Sequence, residues 1–372
     1  MIKKCFKALV LATLILVGVA CERRPLLEQS EAVRIRIAVD VKTVLNVNTN
    51  IRNSVRLYGS NSTLWDEKIE QLTPEVMRVL VYDPDSDRLV AQSFITNNGY
   101  DEDGIQVFSG NLGISYGNYN FLVYNFDTPT TQVISENRES SIIAYTDEIS
   151  PALRAKILGT RSDTKDGEEE NVGDLYEDIN IHYEPEHLLV ANEPNVRISP
   201  HDTLVVVQTE ASTVIDTYYL QVRVNGLQFA SSATAVISGL SPSNKIGLNE
   251  RTVDPSAAVV FEMKKGYDLS IDDENQDVLC AVFNTFGKIE DVESDLFVTF
   301  NVYDTAGKLR QYTANLDSVF KSEEARLYHW LIVNEDCLVI DIPDPTPNPQ
   351  EGGGGFQPQV DDWQEETGEI SI

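Results

Sequence analysis

Apolar and polar residues alternate along most of this chain, and this alternation restricts the fold more than any other feature. The first clear example is the segment 33–40, VRIRIAVD, in which every second residue from Val33 is apolar. A period of two places successive side chains on opposite faces, so each such segment is expected to form a half-buried strand. No stretch in the first half has a convincing helical period of 3.6 residues. The pattern therefore predicts an all-β protein.

Turn residues separate the alternating segments and define candidate strands. In the first half, strands are predicted at 33–40, 51–58, 76–82, 88–95, 105–109, 119–126 and 141–145. In the second half, they are predicted at 203–208, 213–228, 233–238, 257–263, 278–286, 295–303, 308–313 and 328–342. The hairpin sequence at 79–90 resembles the one at 299–310, which favours two related sandwich domains over one large sheet.

The first 20 residues indicate export. Three lysines precede an apolar run at 8–20, and Cys21 follows directly. This order is typical of a secretory signal peptide, and the run is too short for a spanning helix. We expect cleavage before Cys21, whose thiol would carry a diacylglycerol, with palmitate among the acyl chains. An ordinary signal peptide followed by a chance cysteine is the alternative.

The net charge of the chain excludes one class of partner. The 372 residues include 29 basic and 59 acidic side chains, a net charge of −30. Such a chain repels nucleic acid, so no nucleic-acid partner is expected.

Cys280 and Cys337 are the cysteines left after processing, and both lie in apolar, strand-like runs. Two buried free thiols are one interpretation, and a disulfide between them in an oxidising compartment is the other.

Composition divides the chain into segments. The signal peptide covers 1–20 and a lipidated tether covers 21–31; an N-terminal β-sandwich domain is expected at 32–192 and a C-terminal one at 193–342. Within the first domain, residues 161–180 are crowded with aspartate and glutamate, which predicts a mobile, solvated loop. Two prolines, Pro185 and Pro194, bracket the expected passage between the domains.

The chain ends in a spacer and a short segment with large apolar residues. Residues 343–355 alternate proline with other residues and end in four glycines, which predicts a stiff and then flexible spacer. In the docking segment 356–372, the candidate anchors are Phe356, Val360 and Trp363. Strand addition to an open groove of another chain would use anchors of this kind. Docking on the chain's own second domain is the alternative.

The sequence contains no recognisable catalytic, metal or cofactor motif, so we expect a protein that is not an enzyme. Its histidines fit no zinc spacing, and no GxSxG nucleophile elbow accompanies them. They are His182, His187, His201 and His329. Asp83, Asp85 and Asp87 resemble the start of a calcium loop, but Arg88 takes the place of the required glycine. An aspartate-rich hairpin turn explains the same residues.

An aromatic-rich region at 116–126 raises a second function, that of a surface protein that binds glycans. It contains Tyr116, Tyr119, Phe121, Tyr124 and Phe126. Exposed, coplanar rings would form a platform for sugars. Alternation instead places Phe121 and Val123 on one face and Leu122, Tyr124 and Phe126 on the other, as in a central strand covered on both faces. We prefer this core position.

Three motifs carry a resemblance to a known family. They are CERRPL at 21–26, GNYNFLVYNF at 117–126 and AVISGLSP at 235–242. Together they resemble an uncharacterised family of Bacteroidales lipoproteins, the DUF5119-like family, over the whole mature chain. That family is similar to fimbrial anchor and accessory subunits of the FimB and Mfa type.

The resemblance implies two tandem transthyretin-like (fimbrillin-like) β-sandwich domains and an outer-membrane lipid anchor facing the cell surface. It also implies a role in attaching or terminating fimbriae, contact with fimbrial subunits by strand addition, and no catalytic residue or cofactor. Two classes stay open: an anchor or accessory subunit of a fimbrial or adhesion assembly, and a surface glycan-binding lipoprotein. An open groove in a sheet favours the first, and an exposed row of coplanar aromatics favours the second.

Overall fold

A computed structural model describes residues 33–40, 74–100, 106–126, 128–159, 172–201, 204–266, 277–289 and 296–345. The predicted strand at 51–58, the lipidation site Cys21 and the docking segment 356–372 lie outside these ranges. Strands dominate the described residues and form three sheets. The prediction of an all-β fold is confirmed.

The first sheet combines strands from the start of the chain with strands that follow residue 188. They are β1 (Val33–Asp40), β2 (Val76–Asp83), β3 (Arg88–Tyr100), β4 (Gln106–Ile114), β5 (Gly117–Asn125), β9 (Leu189–Ile198), β10 (Leu204–Glu210) and β11 (Ser212–Thr213). Their spatial order is β10-β1-β4-β3-β2-β5-β9-β11. Neighbouring strands are antiparallel except β1 and β10, which are parallel.

The central strand β5 is covered on both faces. Phe121 and Val123 belong to an inner cluster that, among the described residues, is drawn from this sheet alone. β10 and β9 lie near opposite ends of the strand order, yet they contact each other. The sheet must therefore curl around that cluster. Leu122 and Tyr124 pack on the other face. The predicted core position is confirmed for these four residues, but Phe126 follows the strand and is 44% exposed.

The second sheet holds most of the remaining strands. They are β8 (Asn180–Tyr183), β12 (Asp216–Asn225), β13 (Ala230–Leu240), β16 (Ala257–Gly266), β17 (Val278–Thr285), β18 (Phe297–Asp304), β19 (Leu309–Asn315), β20 (Trp330–Val333) and β21 (Ile340–Asp341). Their order is β19-β18-β13-β16-β17-β12-β20, while β8 pairs with β16 and β21 pairs with β12. The rings of Phe261 and Phe283 stack in its core, with centroids 4.3 Å apart.

A small third sheet joins the two halves of the chain. It consists of β6 (Thr131–Ile134), β7 (Ile143–Thr146), β14 (Ser243–Lys245) and β15 (Glu250–Arg251), in the order β15-β14-β7-β6. β7 pairs with β14 through Ser243 opposite Tyr145 and Asn244 opposite Ala144. The two sandwiches are therefore connected by backbone hydrogen bonds as well as by the chain.

Helices are short and lie at the edges. They are α1 (Pro151–Leu158), α2 (Val172–Leu175), α3 (Asp317–Phe320) and α4 (Glu323–Tyr328). α1 was not predicted, because its sequence has no convincing helical period. Its start is nevertheless well defined: the hydroxyl of Ser150 accepts a hydrogen bond from the Leu153 N–H, and Pro151 starts the first turn. None of the described helices is long and apolar enough to cross a membrane.

The predicted domain boundary between residues 192 and 193 needs correction, because it falls inside β9. This strand pairs with β5, and β10 pairs with β1, so the first sheet extends to Thr213. Pro194 does not end the strand, because it lies in a β-bulge together with Asn195. Both residues stand opposite Asn120, whose side-chain oxygen accepts a hydrogen bond from the Asn195 N–H at 2.9 Å.

The predicted acidic loop at 161–180 also needs correction in its second part. Residues 172–180 form α2 and the start of β8, and β8 pairs with β16. Tyr176 is fully buried, and its hydroxyl donates a hydrogen bond to the Val236 carbonyl at 3.0 Å. Burial of this ring holds the segment on the second sandwich. Residues 160–171 lie outside the described residues.

Candidate functional site

The outer face of the first sheet carries an exposed apolar patch formed by Val90, Phe94 and Phe126, which we call the outer patch. These side chains are 48%, 55% and 44% exposed. Val90 and Phe94 lie on the solvent side of β3, where polar residues would be expected to alternate. The rings of Phe94 and Phe126 lie 5.3 Å apart and are inclined at 51°. They are not coplanar, so they do not form the flat sugar platform considered from the sequence.

A fixed cation lies beside the outer patch. The guanidinium carbon of Arg78 is 6.0 Å from the Phe94 ring centroid. Its Nη2 donates to Gln92 Oε1 at 2.8 Å and pairs with Glu136 Oε2 at 2.7 Å. Cation–π and ion-pair contacts thus hold Arg78 in one orientation under an exposed aromatic ring. Aromatic and arginine side chains together are typical of protein-binding surfaces.

Two buried tyrosines hydrogen-bond to Glu136, the residue whose carboxylate pairs with Arg78. Tyr124 donates a hydrogen bond to the Glu136 carboxylate, and Tyr82 donates to the Glu136 carbonyl oxygen at 2.9 Å. Burial, followed by the interaction with Glu136, raises the pKa of both phenols well above the usual range. Both side chains stay neutral donors at physiological pH. This cluster orients Arg78 and provides no activated nucleophile.

An open sheet edge is a second feature of the first sandwich. β10 ends the strand order, and among the described strands it pairs with β1 alone, although β9 also contacts it without strand pairing. Leu204 and Val206 project from one face of β10 and are 56% and 51% exposed. An exposed strand edge with apolar side chains is suited to pairing with a strand of another chain.

The two cysteines do not form the disulfide considered from the sequence. Cys280 is a buried free thiol in β17, whereas Cys337 is an exposed free thiol. The expectation that Cys337 lies in a buried strand is wrong, because it ends a turn between β20 and β21. The Cys337 N–H accordingly bonds to the carbonyl of Asn334, as in a turn.

The histidines make contacts that belong to the fold. His182 Nδ1 lies 2.9 Å from the Thr146 carbonyl oxygen, and His329 ends α4 in a left-handed conformation. His187 is buried between the two large sheets. Within the described ranges, no group of three or more His, Cys, Asp or Glu side chains is placed to hold a metal ion.

The aspartate run forms a hairpin turn between β2 and β3. Asp83 Oδ1 accepts a hydrogen bond from the Asp85 N–H at 2.9 Å, and the Asp87 N–H donates to the Asp83 carbonyl at 2.8 Å. The Asp87 carboxylate accepts hydrogen bonds from the N–H and hydroxyl of Ser140, which hold its pKa below the usual range against the opposing effect of burial. The hairpin interpretation is confirmed.

The sequence did not identify the outer patch or the β10 edge. The available signal for the patch is the position of Val90 and Phe94 on the same face of β3 as Arg88, Gln92 and Thr96. Apolar residues on an otherwise polar strand face indicate a contact surface. The proposed lipidation and docking residues, Cys21, Phe356, Val360 and Trp363, lie outside the described residues.

The described residues define a two-sandwich, all-β protein, and an exposed apolar patch and a strand edge without a partner among the described strands are features typical of surfaces that bind other chains. Residues 63–262 match the family described as "Domain of unknown function (DUF5119)". The chain belongs to this family, as its sequence motifs led us to expect.

Comparison with individual proteins extends the likeness beyond the family match. The chain is 22% identical over 325 residues to a Bacteroides ovatus protein named "Putative fimbrium anchoring subunit Fim4B", covering 80% of this chain and 85% of that protein. A crystal structure described as a "putative adhesin" from Bacteroides ovatus shares the fold, with a TM-score of 0.55 and 18% identity, covering 88% of this chain and 98% of that one. The fimbrial anchor protein Mfa2 from Porphyromonas gingivalis is a more distant likeness, with a TM-score of 0.42, 10% identity and coverage of 83% and 89%.

Proposed function

We propose that this chain is a non-catalytic, lipid-anchored surface protein that serves as an anchor or accessory subunit of a fimbrial or adhesion assembly. The observation that carries the proposal is the alignment with a relative named as a fimbrium anchoring subunit, which spans 80% of this chain and 85% of that protein. A match of that extent covers both sandwiches. The outer patch and the β10 edge support the same conclusion, because an assembly subunit needs surfaces that contact other chains.

The proposed anchor is a diacylglycerol, with palmitate among its acyl chains, on Cys21 in the outer membrane. It is supported by the lysines, the apolar run and the Ala20–Cys21 junction. Cys21→Ser should leave the chain unprocessed or move it to the soluble fraction. Cys5→Ser is the matched control, since Cys5 lies inside the cleaved segment and should leave membrane attachment unchanged. Equal retention of both variants after a carbonate wash, with the Cys21→Ser chain cut to the mature length, would contradict lipidation.

The assembly role is tested on whole cells by electron microscopy of surface fibres. Cells whose chain carries Cys21→Ser should release fibres into the medium, because the base of each fibre lacks its anchor. Cells with Cys5→Ser should retain them. If cells that lack the chain altogether keep fibres of normal number, length and attachment, the chain is not an anchor or accessory subunit.

We also propose that residues 356–372 dock on a neighbouring subunit by strand addition. Extended, the spacer 343–355 reaches at most about 45 Å, roughly the length of one sandwich. Burial of Phe356 and Trp363 would contribute about 2–3 kcal/mol each, and Val360 would add to this. Ordering the segment costs more than that, so a ladder of backbone hydrogen bonds is also required.

Deletion of residues 356–372 tests this docking. Lost subunit partners with an unchanged Tm would support strand donation to another chain. A lower Tm with partners retained would indicate docking on the chain's own sandwich instead. Unchanged Tm and unchanged partners would mean that the segment is a solvated tail.

A further inference from the structure

A polar cleft lies where the two large sheets meet. Its walls come from the end of β11, the β14–β15 hairpin and the loop that follows β17, and its volume is 480 Å³. This volume is in the range of small-molecule sites. The cleft is separate from the outer patch and from the β10 edge, and it has no part in the proposed function.

The position of Arg251 on the cleft wall depends on a glycine. Gly287 has φ 109°, and a Cβ at this position would come within 2.3 Å of the Arg251 guanidinium. The guanidinium lies over the bare backbone and pairs through Nη2 with Asp216 Oδ2 at 2.8 Å. Asp216 therefore occupies one of the five N–H donors of Arg251 and fixes the orientation of the others.

The second cation of the cleft, Lys288, forms no ion pair with a carboxylate in the described part of the chain, although its charge, after the hydrogen bond from Lys321, helps to lower the pKa of the Asp317 carboxyl group on α3. Its side chain is half-buried, and its Nζ lies 5.7 Å from the Phe320 ring centroid. The Lys288 backbone bridges to Leu240, and the Ile289 N–H donates to the Gly239 carbonyl at 3.2 Å. The loop that carries the ammonium group is thus fixed to β13.

The floor of the cleft contains an unsatisfied acceptor. Asn244 is 3% exposed, and its Oδ1 has no hydrogen-bond partner among the described residues. A buried acceptor without a partner is unusual in a folded protein, and a bound molecule with an O–H or N–H group would supply the donor that the described residues do not. Val214, Val253 and Ile289 add an apolar side to the same cleft.

We propose that this cleft binds an acidic sugar, a ring that carries one carboxylate and several hydroxyl groups. The carboxylate would face Lys288 and the remaining donors of Arg251. A ring hydroxyl would donate to Asn244, and the C–H face of the ring would pack on Val253. The apolar side chains of Val214, Val253 and Ile289 beside these polar groups favour a ring with a C–H face, whereas an acidic peptide, which also offers a carboxylate and an N–H donor, is an outcome of the test below.

The test is isothermal titration of the full chain in mild detergent with D-glucuronate and, as a matched neutral probe, D-glucose. We expect saturable binding of glucuronate at a millimolar Kd and no measurable binding of glucose. Lys288→Gln should weaken glucuronate binding about tenfold, because it removes a charge-assisted hydrogen bond. Lys245→Gln is the control: it makes the same change on the β14–β15 hairpin, at a residue outside the cleft lining, and should leave the Kd unchanged.

Three results would overturn the proposal, provided that the variants keep the Tm of the parent chain. The first is no saturation by glucuronate up to about 10 mM, well above a millimolar Kd. The second is equal affinity for glucose, or affinity that survives Lys288→Gln. The third is binding of a tetraglutamate peptide in place of glucuronate, which would identify a peptide site. None of these results bears on the fibre-anchoring role.

Discussion

His187 Nε2 lies 3.1 Å from the hydroxyl of Thr217, and this buried contact joins the first sandwich to the second. Thr217 in turn donates its hydroxyl hydrogen to Asn284 Oδ1 at 2.8 Å. The Thr217 oxygen must therefore accept from His187, which assigns the ring proton to Nε2. On the other side of the ring, Nδ1 lies 3.0 Å from the Thr213 hydroxyl. One histidine thus links the end of β11 to β12 and β17.

Replacement of His187 should loosen this junction. We expect His187→Ala to lower the free energy of unfolding by about 2–4 kcal/mol, because it leaves a cavity and removes a partner from the buried Thr217 hydroxyl and the half-buried Thr213 hydroxyl. Urea denaturation followed by tyrosine and tryptophan fluorescence measures the change. His201→Ala, in an exposed loop, is the control and should stay within about 0.5 kcal/mol of the parent chain. Equal effects of the two substitutions would contradict the role assigned to His187.

Tyr176 provides a test of where residues 172–183 belong. Its ring packs edge-on against Phe297 with centroids 5.0 Å apart, and its hydroxyl bonds to Val236. Tyr176→Phe should cost about 1 kcal/mol of unfolding free energy, and Tyr176→Ala about 3–5 kcal/mol. Tyr183→Phe, at an exposed tyrosine of β8, is the matched control and should be neutral. A neutral Tyr176→Ala would return the segment to the solvated loop expected from the sequence.

The two thiols should differ in reactivity. Burial raises the pKa of the Cys280 thiol to about 11, although a hydrogen bond with Tyr219 and the nearby Lys264 act to lower it. Cys337 is exposed. At pH 8 we expect a thiol reagent to modify one thiol per mature chain in the native state and two in denaturant.

Cys337→Ser provides the control for this thiol count: it should leave no reactive thiol in the native state and one after unfolding. A disulfide between Cys280 and Cys337 would instead give no reactive thiol in denaturant until a reductant is added. That result would contradict the two free thiols of the structure.

Strands were predictable from the sequence where apolar runs lie between turn residues. The expected strand at 76–82 corresponds to Val76–Asp83, and that at 257–263 starts where Ala257–Gly266 starts. Successive side chains pack in two clusters on opposite faces, Val79 and Leu80 in β2 and Val259 and Ala258 in β16, so both strands are apolar runs. The repeated hairpin at 79–90 and 299–310 was predictable for the same reason, since an aspartate forms the turn in each.

Pairing between distant segments was not predictable in this way. β7 and β14 are about a hundred residues apart, and nothing in the period of either strand specifies its partner. The domain boundary was placed wrongly because of Pro194. A proline usually interrupts a strand, but it is tolerated in a bulge such as the one opposite Asn120. The cleft between the sheets depends on the first of these features, because β14 carries Asn244 of its lining. Its lining could not be assembled from the sequence alone.

The last prediction concerns Asp304, which forms the turn between β18 and β19. Its Oδ1 accepts hydrogen bonds from the N–H groups of Lys308 at 2.9 Å and Ala306 at 3.0 Å, and its Oδ2 pairs with Arg310 at 3.2 Å. The Lys308 N–H has the largest effect, and together these contacts lower the pKa of the carboxyl group. In an unfolded chain the pKa of an aspartate is about 3.9. The ionised carboxylate therefore stabilises the fold above about pH 4, and this stabilisation is lost as the pH falls through the lowered pKa.

We expect Asp304→Asn to lower the Tm at pH 7 and to have a progressively smaller effect below about pH 4, where the parent carboxyl also becomes neutral. Calorimetric scans of both chains between pH 7 and about pH 3 measure this convergence. Asp336→Asn removes the same charge from an exposed turn and is the control for net charge. Two curves for Asp304→Asn and the parent that stay parallel across the whole range would show that the carboxylate contacts do not contribute to the stability of this turn.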